Sequence, residues 1–541
     1  MTRKFVIAAL LAGTAFIVPA PASAALEQPA AQQEPEATEP DASDASADAT
    51  IQGTNQVDDL QAKIELLQAQ VEALQEALEG VKSQQVKAVP SWKGGPEFAD
   101  KDAGFTFKPR GRIQYDAGYV WNPDDDPNGG LITRNLGFNS RVRRIRLGAE
   151  GTIPGGFGYK FEMDYANGNV GFGDAIITYA PSGKPYSLAI GNQETLNGLE
   201  QITSSRFTSF MERAAFDDAF VNTRRIGLNV GYVNSAGDLR LNAGLFAGHS
   251  IDGTFDNESW IAATRAVYAP VLGGNQYHFG ANFQHRKFQS NNNGTTASAS
   301  GQPSTNQLAR YRARPFTQTT DVRFVDTGNF AAKSDDIFGL EFGGIFKSLH
   351  IAAEGQYLTS NAYGPGDTLG NMSGSNTINL FPGSLATVLV PDGDPSFWGG
   401  YIEAGYFFTG ETRGYKNGTW DRTKVLKPFS KGGWGAVQLN GRVDYLDLDS
   451  SKLKSAFNNN FITGVASPSN GATRGGKQLG LLASVVWIPE DWMRFYFQYS
   501  HAFVTGGPFA DEVSGRPSSD PSLDDYDYGV DFVGTRAQID F

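Results

Sequence analysis

The chain of 541 residues has no cysteine. That excludes a disulfide framework, a thiolate metal site and a catalytic thiol. Histidine is scarce, and His249, His278, His285, His350 and His501 show no metal-ligand spacing. No nucleophile motif surrounds any serine, and no pattern calls for nucleic acid or a cofactor. "GATRGGKQ" (471–478) nearly matches a phosphate-binding loop. Gln478, however, stands where that loop needs a hydroxyl, and a strand period follows where it needs a helix. No internal stretch reaches the ~18 apolar residues of a membrane-spanning helix. Nothing here points to an enzyme.

The apolar residues are placed in other ways. At the N-terminus, Arg3 and Lys4 precede "FVIAALLAGTAFIV" and then "PASA". This is the order of a secretory signal peptide, with a cut expected after Ala24, so residues 1–24 are read as a leader. Residues 25–55 are Ala, Pro, Gln, Ser and acids. They hold part of the net charge of −13 and are too polar to offset their ordering entropy, so a disordered spacer is expected. Over 56–88, Val57, Leu60, Ile64, Leu67, Val71, Leu74, Leu78 and Val81 alternate by threes and fours. Such a seam predicts a coiled-coil helix that self-associates.

After Phe105 the period becomes two. "FKPRGRIQYDAGYVW" (107–121) sets Lys108, Arg110 and Arg112 opposite Phe107, Ile113, Tyr115, Tyr119 and Trp121. Strand side chains alternate between faces. One face is therefore cationic and the other aromatic, and similar alternation recurs at 157–166, 225–232, 492–500 and at the C-terminus. A cation facing lipid at mid-bilayer costs ~2–4 kcal/mol, whereas one facing water costs little. The aromatic face must meet lipid and the charged face a watery bore. Sixteen such strands are counted, with mostly tight turns on one side and long connections on the other, as bacterial barrels have. Two connections break that rule: 167–171 is short on the long side and 410–433 is long on the short side. The predicted fold is all-β: a sixteen-stranded antiparallel transmembrane barrel over 92–541, with the spacer and coiled coil in the periplasm.

Several stretches resemble the phosphate-selective porin O and P family: "FKPRGRIQYD" (107–116), "RRIRLGAEG" (143–151), "GLEQITSSRFTSFMERAAFDDAF" (198–220), "YFFTGETRGY" (406–415), "GGWGAVQLNGRVDYLDL" (432–448) and the ending "RAQIDF". The resemblance implies a trimeric outer-membrane barrel with a loop folded into the pore, and phosphate or polyphosphate as solute. It also accounts for the long segment at 410–433. One position departs from the family's usual pattern, with Glu194 where a basic residue is typical.

The residues themselves suggest an anion path. Arg144 and Arg146 alternate on the second strand, with Arg141 and Arg143 at its outer end. Arg225, Arg240 and Arg265 fall on the non-lipid face of their strands. Fixed guanidiniums in a narrow bore concentrate anions, and their planar fork matches phosphate. The candidate pore-lining residues are thus Lys108, Arg110, Arg112, Arg144, Arg146, Arg225, Arg240 and Arg265. Arg206 and Arg213 join them from the segment 193–223, read as the constriction. "LARYRARPF" (308–316) offers a basic mouth. The expected partners are small anions such as phosphate, outer-membrane lipid and two further copies of the chain. Two alternatives stay open: a weakly selective pore whose arginines pair with wall carboxylates such as Glu150, Glu162, Asp116 and Asp164, and an envelope tether or receptor working through the coiled coil.

Overall fold

The computed structural model describes residues 60–78, 91–92, 95–100, 102–123, 135–168, 170–220, 222–251, 259–288, 308–363, 387–454, 457–460, 465–468 and 475–541. The leader and the spacer lie outside these residues, as do heptad positions Val57 and Val81.

The chain divides into two units, Met1–Val81 and Lys82–Phe541. In the first, residues 60–78 form one helix, α1. Its seam residues Leu60, Ile64, Leu67, Val71, Leu74 and Leu78 are all exposed.

The second unit is a closed antiparallel barrel of sixteen strands. They are β1 (Phe105–Val120), β2 (Gly137–Ile153), β3 (Phe157–Asp164), β4 (Gly171–Tyr179), β5 (Tyr186–Gln193), β6 (Arg225–Val233), β7 (Leu239–Ala247) and β8 (Trp260–Tyr268). The second half is β9 (Asn275–Lys287), β10 (Phe330–Phe346), β11 (Leu349–Ala362), β12 (Ser396–Phe407), β13 (Ala436–Asp447), β14 (Lys477–Glu490), β15 (Met493–Thr505) and β16 (Asp527–Asp540). Each pairs with the next, and β16 returns to β1 through Phe532↔Val120 to Asp540↔Arg112. A closed barrel leaves every wall backbone group paired and no free edge, which is the condition for strands in lipid.

The period-two pattern sets the two faces. On β1, Ile113, Tyr115 and Tyr119 are exposed, while Arg112, Gln114 and Asp116 are buried on the inner side. Outward residues elsewhere are equally apolar, among them Leu340 on β10, Ile402 on β12 and Phe497 on β15. The seam extends to Phe541. Phe541 exchanges backbone hydrogen bonds of 3.0 Å with Gly111 in both directions. A side chain at Gly111 would collide with the Phe541 ring, 2.2 Å from the position its Cβ would take.

The second strand carries a correction to simple alternation. A β-bulge lies between Gln114↔Arg144 and Tyr115↔Val142, so Arg143 is the extra residue. Below the bulge the even positions Arg144 and Arg146 face inward, and above it the odd positions Arg141 and Arg143 do. One extra residue thus turns four arginines of a six-residue run to the same side.

Turn lengths follow the sequence expectation. Phe346 pairs with Leu349 across two residues, and Leu272 with Asn275 across Gly273–Gly274, both glycines at positive φ. Such two-residue hairpins need φ > 0 to match the twist of the strands. The connection between β3 and β4 is short on the long-loop side, and 408–435 is long on the other.

Candidate functional site in the barrel lumen

The connection from β5 to β6, residues 194–224, does not lie over the outer surface. It contains two short helices, α2 (Leu199–Ile202) and α3 (Ala215–Phe220), and it meets the inner wall on the far side. The amides of Leu199 and Glu200 each donate to Glu354 at 2.7 Å. The Ala215 amide donates to Asp444 at 3.2 Å and that of Met211 to Gln498 at 2.8 Å. Tyr496 donates to the Thr208 carbonyl at 3.1 Å and Gln114 to that of Ser205 at 3.1 Å. Inward polar side chains of β1, β11, β13 and β15 therefore satisfy the backbone of a segment without a sheet of its own.

This docking has an apolar and an ionic part. Phe210, Phe216 and Phe220 are fully buried, and Phe216 stacks on Tyr401 with ring centroids 6.2 Å apart. Beside them Arg442 pairs with Glu403 at 2.6 Å and with Glu200 of α2. Its guanidinium also lies 4.7 Å from the centroid of Phe210 and 4.2 Å from that of Tyr401. On the other flank Arg536 holds Asp116 at 2.6 Å and Glu212 of the loop at 2.7 Å.

Residues 408–435 also fold inward, from the opposite end. Arg413 reaches Ser209, His350 and, at 3.4 Å, Glu403. Tyr415 meets His278 at 2.6 Å, and the Trp420 amide donates to Thr203 at 3.2 Å. Arg422 pairs with Asp540. The segment that broke the turn rule is thus a second filling of the bore. Its inward fold explains why an end loop carries a buried Trp.

Between the infolded loop and the wall of β1 to β6 lies a polar cavity of about 580 Å³. Nine arginines and one lysine line it, with seven carboxylates. Most of these charges are paired. Arg110 meets Glu150; Arg112 and Arg146 share Glu162 at 3.0 and 2.7 Å; Arg146 also takes Asp164 at 2.7 Å. Arg143 grips Glu212 at 2.9 Å, Lys160 meets Asp174, and Arg314 meets Asp218 at 3.3 Å. The departure at Glu194 is neutralised, because Arg224 pairs with it at 3.0 Å and with Asp174 as well.

Three arginines differ. Arg144 donates to the Gln114 amide oxygen at 2.7 Å, and its Nε is buried without a partner. Arg206 donates to Ser204 at 3.1 Å. Arg213 is committed to the carbonyls of Glu200, Gln201 and Thr203 at 3.0, 3.1 and 2.9 Å. Among the described residues, none of the three forms an ion pair with a carboxylate.

Of the ten candidates read from the sequence, Arg110, Arg112, Arg144, Arg146, Arg206 and Arg213 line this one cavity. The other four do not. Lys108 pairs with Glu97 at 2.6 Å. Arg225 bonds Thr223 and the Arg224 carbonyl at 3.3 and 2.9 Å. Arg265 is buried against Glu341 at 2.6 Å and donates to the Gly418 carbonyl at 3.1 Å, and Arg240 also passes close to Gly418. Arg310 pairs with Asp326 at 2.8 Å, and of the strip's arginines only Arg314 reaches the cavity. Sequence reading missed Arg143 and Arg224 as lining residues, and Arg413, Arg442 and Arg536 as anchors. Alternation would have placed Arg442 and Arg536 inward; Arg413 carries no strand period to read.

The phosphate-selective porin O and P model matches residues 107–506. An uncharacterized protein of Caulobacter vibrioides is 34% identical over 460 residues, covering 83% of this chain and 77% of that protein. Porin O of Pseudomonas aeruginosa is 31% identical over 206 residues, 36% of this chain and 44% of that one. Among solved structures, the outer membrane channel DcaP of Acinetobacter baumannii aligns with a TM-score of 0.41 at 14% identity, over 81% of this chain and 98% of that chain. An anion-selective porin from Comamonas acidovorans aligns with a TM-score of 0.40 at 10% identity, over 81% and 100%. With a closed sixteen-stranded wall, an apolar belt outside and a charged bore within, this chain is an outer-membrane channel, and it belongs to the phosphate-selective porin O and P family.

Proposed function

We propose that the channel passes small anions by passive diffusion, that the loop 194–224 is its constriction, and that phosphate is among its solutes. One observation carries this reading: in a cavity where most charges are paired, Arg144, Arg206 and Arg213 have no carboxylate partner among the described residues. No bonded carboxylate neutralises them in this confined space, so their charge is left to concentrate anions there. Neighbouring paired guanidiniums supply further donors as an anion moves, so no single site has to hold it tightly. The other four candidates, Lys108, Arg225, Arg240 and Arg265, act outside this cavity, on the bore's field and its packing.

The heavy pairing favours a second reading, a pore with only weak preference. A reversal potential in a potassium chloride gradient across a planar bilayer separates the two. Wild type is expected to prefer chloride over potassium. Arg144→Glu is expected to lower that ratio at least tenfold, since one charge about 4 Å from the ion is worth ~1–4 kcal/mol and a reversal counts it twice. No preference in wild type would leave the weakly selective pore.

We further assign residues 1–24 to a signal peptide, 25–55 to a spacer and 56–88 to a periplasmic coiled coil joining three copies. The exposed apolar seam of α1 supports this, because a heptad seam of this kind is stabilised by packing against other helices. Deleting residues 25–90 is expected to weaken the trimer in cross-linking while conductance per pore stays. An unchanged trimer together with lost envelope attachment would favour the tether.

A further inference from the structure

Where the infolded loop docks on the wall, buried acids outnumber the cations paired with them. Glu200 of α2, Asp217 of α3, Glu354 of β11, Glu403 of β12 and Asp444 of β13 are each 6% exposed or less. Arg442 bonds Glu200 and Glu403 and lies 4.0 Å from Asp444, and Arg413 reaches Glu403 at 3.4 Å. Arg213 is tied to three backbone carbonyls instead. Neutral donors serve four of the five acids. Leu199 and Glu200 amides and the Tyr401 hydroxyl donate to Glu354, each at 2.7 Å. Ala215 donates to Asp444 at 3.2 Å, Ala214 to Glu200 at 2.9 Å and Ser209 to Glu403 at 2.7 Å.

Asp217 is the exception. It lines the cavity, yet neither carboxyl oxygen has a hydrogen-bond partner. A buried carboxylate without a donor is costly to ionise, and a proton removes that cost. Burial, then the neighbouring Glu200 and Glu354, push this carboxyl well above the usual carboxylate range, against the pull of Arg213 and Arg442. On the outer-loop strip packed against α3, Arg314 pairs with Asp218 at 3.3 Å, and Arg312 lies among Arg310, Arg314, Asp218 and Asp326.

Resting on the reading of 194–224 as the constriction, we infer that a proton on Asp217 latches this loop to the wall, so that the constriction is held at lower pH and loosens as the pH rises. Loss of the proton sets an unpartnered charge beside Glu200 and Glu354, the two acids that tie α2 to β13 and β11. Release of the loop brings Asp217 to water, where it ionises at its ordinary value. The docked loop thus holds one proton that the released loop gives up. Release becomes easier by up to about tenfold per pH unit above the ordinary aspartate range, until the docked value is passed.

The chain has no cysteine, so one introduced thiol reports on the loop. Thr208→Cys places it at a loop position 5% exposed, and labelling of the full-length protein by a methanethiosulfonate reads the released fraction. Between about pH 5 and pH 8 the labelling rate is expected to climb about tenfold per pH unit beyond the thiol's own ionisation. The same thiol combined with Asp217→Asn, which keeps the neutral shape, calibrates that ionisation and should show no further climb. In planar bilayers over this range, current steps should become more frequent at high pH in wild type and not in Asp217→Asn. Labelling profiles that coincide with and without Asp217→Asn overturn the latch, and so does slower labelling at high pH. A labelling rate that climbs as expected under a steady current supports the latch and overturns the constriction reading instead.

Discussion

The two halves of the bore are built from the same alternating strands and put to opposite uses. Along β1 to β6 many of the inward charges line a cavity, and some stay partly accessible: the Arg110 and Glu150 side chains are 25% and 31% exposed. Along β11 to β16 the inward charges are sealed beneath the infolded loop, and Arg442 and Glu403 are 1% and 2% exposed. The inner face of a strand is thus only a supply of polar groups. Whether they conduct or anchor depends on which segment folds against them.

The largest effect should come from the sealed half. Arg442→Met leaves Glu200 and Glu403 buried without their shared cation, which costs about 3–5 kcal/mol. Single-channel recordings should then show a wider, noisier pore, and the barrel should melt earlier in detergent. Quiet wild-type conductance would mean that the loop does not need this anchor. The smallest effect belongs to the open half. Arg110→Ala removes a half-exposed pair and should alter stability by less than about 1 kcal/mol, while still lowering conductance at low salt. A large loss of stability there would erase the contrast between the halves.

Much of the wall could be read from residue order. Sixteen strands, their sidedness and the closing Phe follow from period two, because lipid and water impose opposite demands on successive side chains. The cavity was less accessible. Arg143 counts as outward under strict alternation from Arg144; only the bulge at this point brings both inside, and a bulge leaves no mark in hydrophobic pattern. Pairing was equally hidden. Glu212 meets Arg143 from a segment 69 residues away, a distance that local spacing cannot bridge. The inward turn of 408–435 did show as an anomaly of length, with Trp420 and two arginines in a connection that ought to be short and polar.

The latch of Phe541 on Gly111 has a consequence for how the molecule comes into being. The first wall strand waits for Phe541, so the cylinder cannot shut until the segment of β16 has followed β1 out of the ribosome. A purification handle fused after Phe541 would hang from the joint itself.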